Sequence, residues 1–345
     1  MTTKGDDVKL GPFVMNHMDA EAGDAHGLPS DQTYPDTWDD FIGQEQAKRQ
    51  LQVACQSAKR RGRPLGHVLL ASGEPGIGKT TLALLTAAEM GTDLKVVSGP
   101  MNVNEARIAL SAMRDGDVLF YDEMHQAVRG GKAKAEWLLN FLQDGVLLGP
   151  RGPEEQPKVT VIGATTDAAR LPDTIISRFD LRPVLEPYSD EEGLDIAFKM
   201  AETTFNGDEG LHFPALEDFE DIAQAGSNNP RTIGAILRNL RDLAVVDEEV
   251  WNGERYELDE ALEWLGLKRD GLTEVGVRYL VVLLSEFQAQ AGEKALADRL
   301  QEANLDSVER MLMRRDYITK TRQGRVLTKA GINRARELMD EEVTG

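Results

Sequence analysis

Apolar positions cluster as short unbroken runs in the first half of the chain and fall at helical spacing in the second. HVLLAS, residues 67–72, is an apolar strand; GEPGIGKT follows it, then TLALLTAAEM, a strongly apolar helix. LKVVSG, DVLFYDE and KVTVIGATT read as further strands. Helices are predicted between them over Asn104–Arg114 and Ala133–Gln143. Another is predicted over Gln44–Arg60, where Ala47, Leu51, Ala54 and Ala58 recur at helical spacing. Apolar strands alternating with helices predict a mostly parallel sheet covered on both faces. After Pro187 the strands stop. Residues 190–265 read as helices only, starting with Asp190–Thr204, with acidic surfaces around Glu217–Asp221 and Asp247–Glu249. From Leu267 a second helical unit ends in MLMRRDYITKTRQGRVLTKAG, which reads helix, strand, turn at Gln323-Gly324, strand.

Length and charge narrow the classes. At 345 residues and 41% hydrophobic residues, two or three packed domains are expected. Lys plus Arg is 39 and Asp plus Glu 59, a net charge of -20, which argues against coating nucleic acid by bulk charge but leaves room for a local basic patch. The single cysteine, Cys55, excludes an intrachain disulfide framework and a Cys-rich zinc site. The first twenty residues lack a basic start followed by an apolar block, so no signal peptide is expected. No apolar run approaches the roughly 18 residues of a membrane span. A cytoplasmic protein with no membrane segment is the expectation. Residues 1–36 carry seven acids and two lysines without periodicity, and are expected to form an acidic, mobile tail.

Gly73-Glu74-Pro75-Gly76-Ile77-Gly78-Lys79-Thr80 fits G-x-x-x-x-G-K-[ST] without a gap, between an apolar strand and an apolar helix. The glycines let amide N–H groups turn inward, and with the following helix N-terminus these form an anion cradle. ATP is the expected cofactor, held by Gly73, Pro75, Gly76, Ile77, Gly78, Lys79, Thr80 and Thr81. Lys79 is expected to reach the outer phosphates and the Thr80 hydroxyl to ligate Mg²⁺.

Asp122-Glu123 ends the apolar stretch Val118–Tyr121. An acid at a buried strand end beside the P-loop can hold Mg²⁺ through water, and a second acid can polarise the attacking water. That pairing suits hydrolysis better than small-molecule phosphorylation. His125 reads as a hydrogen-bonding neighbour as readily as a catalytic group. Thr165-Thr166 follows an apolar strand, where a turn is the default reading. Arg178, in ISRFD, is either a solvated cation or an arginine finger reaching a neighbouring subunit's phosphate. Pro230 suits a helix start, and Arg231 after it either projects at a nucleotide or forms a surface ion pair. Residues 310–336 hold nine Lys or Arg and one acid, Asp316. The strand–turn–strand within that stretch follows a helix, as in a winged helix, whose tip places cations on phosphates.

WDDFIGQ, SGEPGIGKTTLA, DVLFYDEMH, VIGATT, SRF, NNPRTIGAILRNLRD and YITKTRQGRVLT together resemble the AAA+ ATPases, and most closely the RuvB family of Holliday-junction branch-migration motors. The resemblance runs from Trp38 to Gly331. The nucleotide motifs specify AAA+, and the order GATT, SRF, PR and a basic winged helix narrows it to RuvB. It implies an α/β P-loop core with a parallel sheet over 37–187, an all-helical lid over 188–266 and a winged helix over 267–345. Phe41 and Ile42 would lie against adenine, with Tyr188. Thr166, or failing that Thr165, would sense the γ-phosphate; Arg178 would be the finger acting in trans, and Arg231 the second sensor. Lys320, Arg322 and Arg325 would lie on the DNA-binding wing. The implied assembly is a hexameric ring threading duplex or branched DNA. Two departures stand out. Glu74 replaces the family's usual proline. GVLLGPRGPEEQP is short where the family's longer hairpin docks the junction-binding partner RuvA, which argues against that docking here.

Two functions share this nucleotide site. One is a motor that translocates or branch-migrates DNA by hydrolysing ATP. The other is an ATP-switched loader that places another protein on DNA. A motor predicts hydrolysis stimulated by DNA; a loader predicts weak hydrolysis that needs a protein partner.

Overall fold

The computed structural model describes residues 35–128, 132–205, 216–246 and 258–344. The expected acidic tail therefore lies outside the described residues up to residue 34, as does the acidic surface at Asp247–Glu249. The chain divides after Tyr188 into two compact units.

The first unit is built on a parallel sheet. Its strands are β1 (Val68–Ser72), β2 (Leu94–Ser98), β3 (Val118–Asp122), β6 (Thr160–Thr165) and β7 (Val184–Leu185), in spatial order β2-β3-β6-β1-β7. All four pairings are parallel, with Leu70 opposite Ala164 and Phe120 opposite Ile162. Every residue of β6 is buried, as a central strand covered on both faces requires. Helices α1 (Glu45–Arg61), α2 (Lys79–Met90), α3 (Val103–Ser111) and α4 (Lys132–Asp144) follow the expected pattern. The start of α3 is set by a capping box: the Asn102 side chain accepts from the Asn104 and Glu105 amides, and the Glu105 carboxylate accepts from the Asn102 amide. That helix stops at Ser111, three residues before the expected Arg114. The segment 145–158 holds an antiparallel hairpin, β4 (Val146–Gly149) with β5 (Gly152–Glu155). A short helix α5 (Asp173–Ile176) precedes β7. Cys55 is buried in α1; burial first, and then the charge of Glu89, push its thiol up to about 12, so it stays protonated.

The second unit, Ser189–Gly345, holds both the helical segment and the strand-bearing C-terminal segment. Its first helices are α6 (Asp190–Thr204), α7 (Leu216–Ala225), α8 (Pro230–Val246) and α9 (Leu258–Trp264). Then come α10 (Glu274–Ser285), β8 (Gln290–Ala291), α11 (Glu293–Leu300), α12 (Asp306–Arg314), β9 (Ile318–Thr321), β10 (Gly324–Leu327) and α13 (Lys329–Thr344). The three strands form a small antiparallel sheet, β8-β10-β9, over a core that includes Tyr279, Leu283, Leu296, Leu312 and Leu338.

One buried acid anchors the β9–β10 hairpin. The side chain of Glu309, on α12, is 1% exposed. Its carboxylate accepts from Arg325 Nε at 2.8 Å and from Tyr279 Oη at 3.1 Å, and lies 2.8 Å from Lys320 Nζ. Arg325 and Lys320 face each other across β9–β10, so one carboxylate gathers a cation from each strand. Burial pushes the Glu309 carboxyl up, but the hydrogen bonds from Arg325 and Lys320 outweigh it and hold it below the usual carboxylate range. Its contribution to stability is therefore present above the ordinary carboxylate pKa and is lost as pH falls through the lowered native value. Glu309→Ala leaves the Arg325 guanidinium without its buried partner and is expected to cost about 3 kcal/mol at neutral pH. Urea unfolding of wild type and variant checks this, with the gap closing in acid. Equal midpoints at pH 7 would contradict the anchoring role.

Candidate functional site

The parallel strands bring their carboxyl ends to one edge of the sheet, the position where α/β proteins bind ligands. There β1 ends at Ser72, β6 at Thr165 and β3 at Asp122, with β6 between the other two. The residues that sequence spacing keeps about forty apart are brought side by side by this strand order.

The loop after β1 turns on Gly76 and Gly78, at φ +81° and +102°. A side chain at Gly78 would be strained, and its Cβ would stand 2.6 Å from the Phe41 ring. Phe41 and Tyr188 are both buried, and Tyr188 Oη donates to Ile77 O at 3.1 Å. These two residues thus support the loop directly, with half-buried Ile42 beside them. The Phe41 segment is fixed by Lys48, whose Nζ donates to Phe41 O at 2.7 Å. Helix α2 opens at Lys79 with no side-chain cap and no acid in its first turn. Its leading amides, Thr80 and Thr81 among them, carry partial positive charge suited to an anion. Lys79 is buried; its Nζ donates to Ser72 Oγ at 2.7 Å and to Glu74 O at 3.1 Å, and Ser72 Oγ donates to the same carbonyl at 2.6 Å. Glu74 takes part here through its backbone carbonyl.

At the end of β3, the Asp122 carboxylate accepts from the Glu123 amide at 3.0 Å. Glu123 sits at φ +48°, a left-handed conformation that costs a non-glycine residue about 1–3 kcal/mol and collects at functional sites. Its carboxylate accepts from Thr166 Oγ1 at 3.1 Å and lies 3.1 Å from His125 Nδ1. Thr165 is fully buried; its Oγ1 accepts from the Asp167 amide and lies 3.1 Å from the same His125 nitrogen. Of the two threonines, Thr166 is the one whose hydroxyl reaches the acid. Thr80 and Asp122 offer oxygen donors only, the kind of ligand Mg²⁺ takes.

The remaining candidates are placed differently. Arg178 follows α5 and donates from Nη2 to Gln143 Oε1 at 2.7 Å. Pro230 and Arg231 are the first two residues of α8, in the second unit, and the Arg231 amide is held by Asn229 Oδ1 at 3.0 Å. The three wing cations expected to act together do not form one free surface. Arg325 is 14% exposed and committed to Glu309 and Glu293, and Lys320 is paired with Glu309. Arg322, at the turn, is exposed and has no ion pair among the described residues. A carboxylate buried beneath the wing accounts for this. Sequence reading missed Ser72, the partner of Lys79, and Glu309: a serine at a strand end and one acid among many carry no distinguishing spacing.

No helix among the described residues is long and apolar enough to cross a membrane. A cleft of about 510 Å³ lies between α3, α4 and the β4–β5 hairpin, with Met101, Val103, Trp137 and Leu148 in its wall and no P-loop residue.

Comparison with known proteins places the whole. Residues 33–185 match the family model of the Holliday junction DNA helicase RuvB P-loop domain, and residues 269–335 that of the RuvB C-terminal winged helix domain. The Holliday junction branch migration complex subunit RuvB of Wolinella succinogenes is 33% identical over 316 residues, covering 86% of this chain and 89% of that protein. Its counterpart in Campylobacter jejuni is 35% identical, covering 86% and 90%. The solved structure of the RuvB Holliday junction branch migration motor of Thermotoga maritima superposes with a TM-score of 0.71 at 30% identity, over 88% of this chain and 97% of that one. With a P-loop unit, a winged helix and full-length relatives all agreeing, this chain belongs to the RuvB family.

Proposed function

We propose that this chain is an ATP-hydrolysing motor that drives branch migration of Holliday-junction DNA. The observation that carries the reading is the Glu123 carboxylate at the end of β3, on the same sheet edge as the P-loop, in a chain similar to RuvB over most of its length. A spare acid next to the Asp122 end of β3 supplies what hydrolysis by water needs. What disfavours the loader is that the relatives are named as branch-migration subunits.

In this reading the α2 amides and Lys79 take the ATP phosphates, and Lys79 exchanges its contacts with Ser72 and Glu74 for phosphate oxygens. Phe41, Ile42 and Tyr188 border the adenine. Mg²⁺ held by Thr80 and, through water, by Asp122 would offset charge on the β- and γ-phosphates. Glu123 orients the attacking water and takes its proton. Thr166, which shares the Glu123 carboxylate, reports on the γ-phosphate. Arg178 serves the neighbouring subunit's site in a hexameric ring, and Arg231 acts as the second sensor. A junction-binding partner protein is expected to act with the motor, while the short β4–β5 hairpin argues against RuvA-like docking at that segment. The motor works in the cytoplasm.

Steady-state ATPase rates of the protein alone, with linear duplex and with a four-way junction test the proposal. Stimulation by DNA is expected; a flat low rate on all three would favour the loader. The wing contact falls to Arg322. Arg322→Glu is expected to weaken duplex binding and to lower the slope of log affinity against log salt by about 1. Titrations at several salt concentrations check this, and an unchanged slope would move the DNA contact elsewhere.

A further inference from the structure

One short helix of the second unit, α12, touches both the wing and the turn that leads into α8. From its middle, Glu309 holds Lys320 and Arg325 of the wing. From its C-terminal end, Arg314 donates from Nη1 to Ser227 O at 2.8 Å, and the following Arg315 donates from Nη2 to Gln224 O. Glu309 and Arg314 stand five residues apart, about 7.5 Å of helix at 1.5 Å per residue, so α12 works as a rigid strut between these two grips.

The turn it grips runs from Gln224 to Asn229. It closes α7 and opens α8, whose second residue is Arg231. Inside the turn, the Gly226 amide donates to Ile222 O at 2.9 Å and the Asn228 amide to Ala223 O at 2.8 Å. The two arginines add cations on carbonyls at the C-terminal end of α7, where the helix dipole is negative. Ser227 and Asn228 are both left-handed, at φ +51° and +55°, a conformation that persists only where surroundings impose it. The surroundings press from three sides. Asn228 Nδ2 donates to Asp190 Oδ1 at 2.7 Å, and a Cβ at Gly193 would meet the same asparagine. Gly271, at φ +79°, lies so close that a Cβ there would stand 2.6 Å from Ser227 Oγ. The arginines of α12 close the third side.

We infer that Arg314 and Arg315 are positioning residues that couple the setting of α8, and with it Arg231, to DNA held on the wing. The inference rests on the motor reading above. Both arginines belong to the basic stretch that sequence alone assigns to DNA, yet their guanidinium groups are spent on the Gln224–Ser227 turn.

The test is the full-length double variant Arg314→Ala/Arg315→Ala, with Arg314→Lys/Arg315→Lys as its companion. Duplex affinity is measured with a non-hydrolysable ATP analogue and with ADP, and ATPase with and without duplex. Coupling between two sites is reciprocal, so a motor must show both effects. In wild type, affinity is expected to differ at least about fivefold between the two nucleotides. In the alanine pair that ratio falls to near one and stimulation by DNA is lost, while affinity in the ADP state stays near wild type. The lysine pair keeps one donor on each carbonyl and restores part of the ratio, which a merely misfolded alanine pair does not explain. An alanine pair that keeps the wild-type ratio overturns the coupling role. Equal loss of affinity in both nucleotide states overturns it too, by making the arginines plain DNA contacts. A wild-type protein without ATPase activity removes the motor reading itself, an outcome separate from either.

Discussion

Glu123→Gln is expected to lower kcat for ATP hydrolysis by about 10²–10⁴-fold while nucleotide binding persists, the loss typical of a missing general base. The amide keeps the size of the carboxylate and can still accept from Thr166, whose Oγ1 stands 3.1 Å away, so the fold of the strand end should survive. What it loses is the basic oxygen that takes a proton from water. Single-turnover hydrolysis, with binding of a fluorescent ATP analogue measured in parallel, separates the two effects. Hydrolysis within a few-fold of wild type would remove Glu123 from the reaction and leave His125 as the remaining candidate beside Thr165.

Lys79→Ala is expected to act one step earlier, on binding. Two or more charge-assisted hydrogen bonds to phosphate are worth about 1.5–3 kcal/mol each, so affinity should fall by about 100-fold or more. Lys79 donates to Ser72 Oγ and Glu74 O, and Ser72 Oγ keeps its own bond to Glu74 O when the ammonium is removed. The loop therefore has a partner left, and thermal stability should change little. Calorimetric titration with ATP checks the prediction. Retained affinity would show that the phosphates do not sit in the P-loop.

These two residues were legible in sequence because their chemistry is local. The P-loop is a contiguous pattern, and β1, β3 and β6 are apolar except at their ends, as strands covered on both faces are. What sequence could not show was partnership. Glu309 lies 16 residues from Arg325, in a helix that carries two acids and two arginines, and nothing in the spacing says that it is buried. The net charge of residues 310–336 therefore overstates the free charge: Lys320 and Arg325 answer Glu309, and Arg334 answers Asp270. The same limit hid β8, a two-residue strand. Arg178 and Arg231 were singled out by resemblance rather than by local chemistry, since one is expected to act across subunits and the other from the second unit.

The most direct test of the account is an ATP-dependent branch-migration assay on a synthetic four-way junction, comparing wild type with Glu123→Gln. Addition of the protein with ATP and Mg²⁺ is expected to resolve the labelled junction into its duplex arms, alone or with a junction-binding partner of the RuvA kind. ADP, or the Glu123→Gln variant, should give no product. A protein that hydrolyses ATP on DNA yet leaves the junction intact under both conditions would contradict the motor reading.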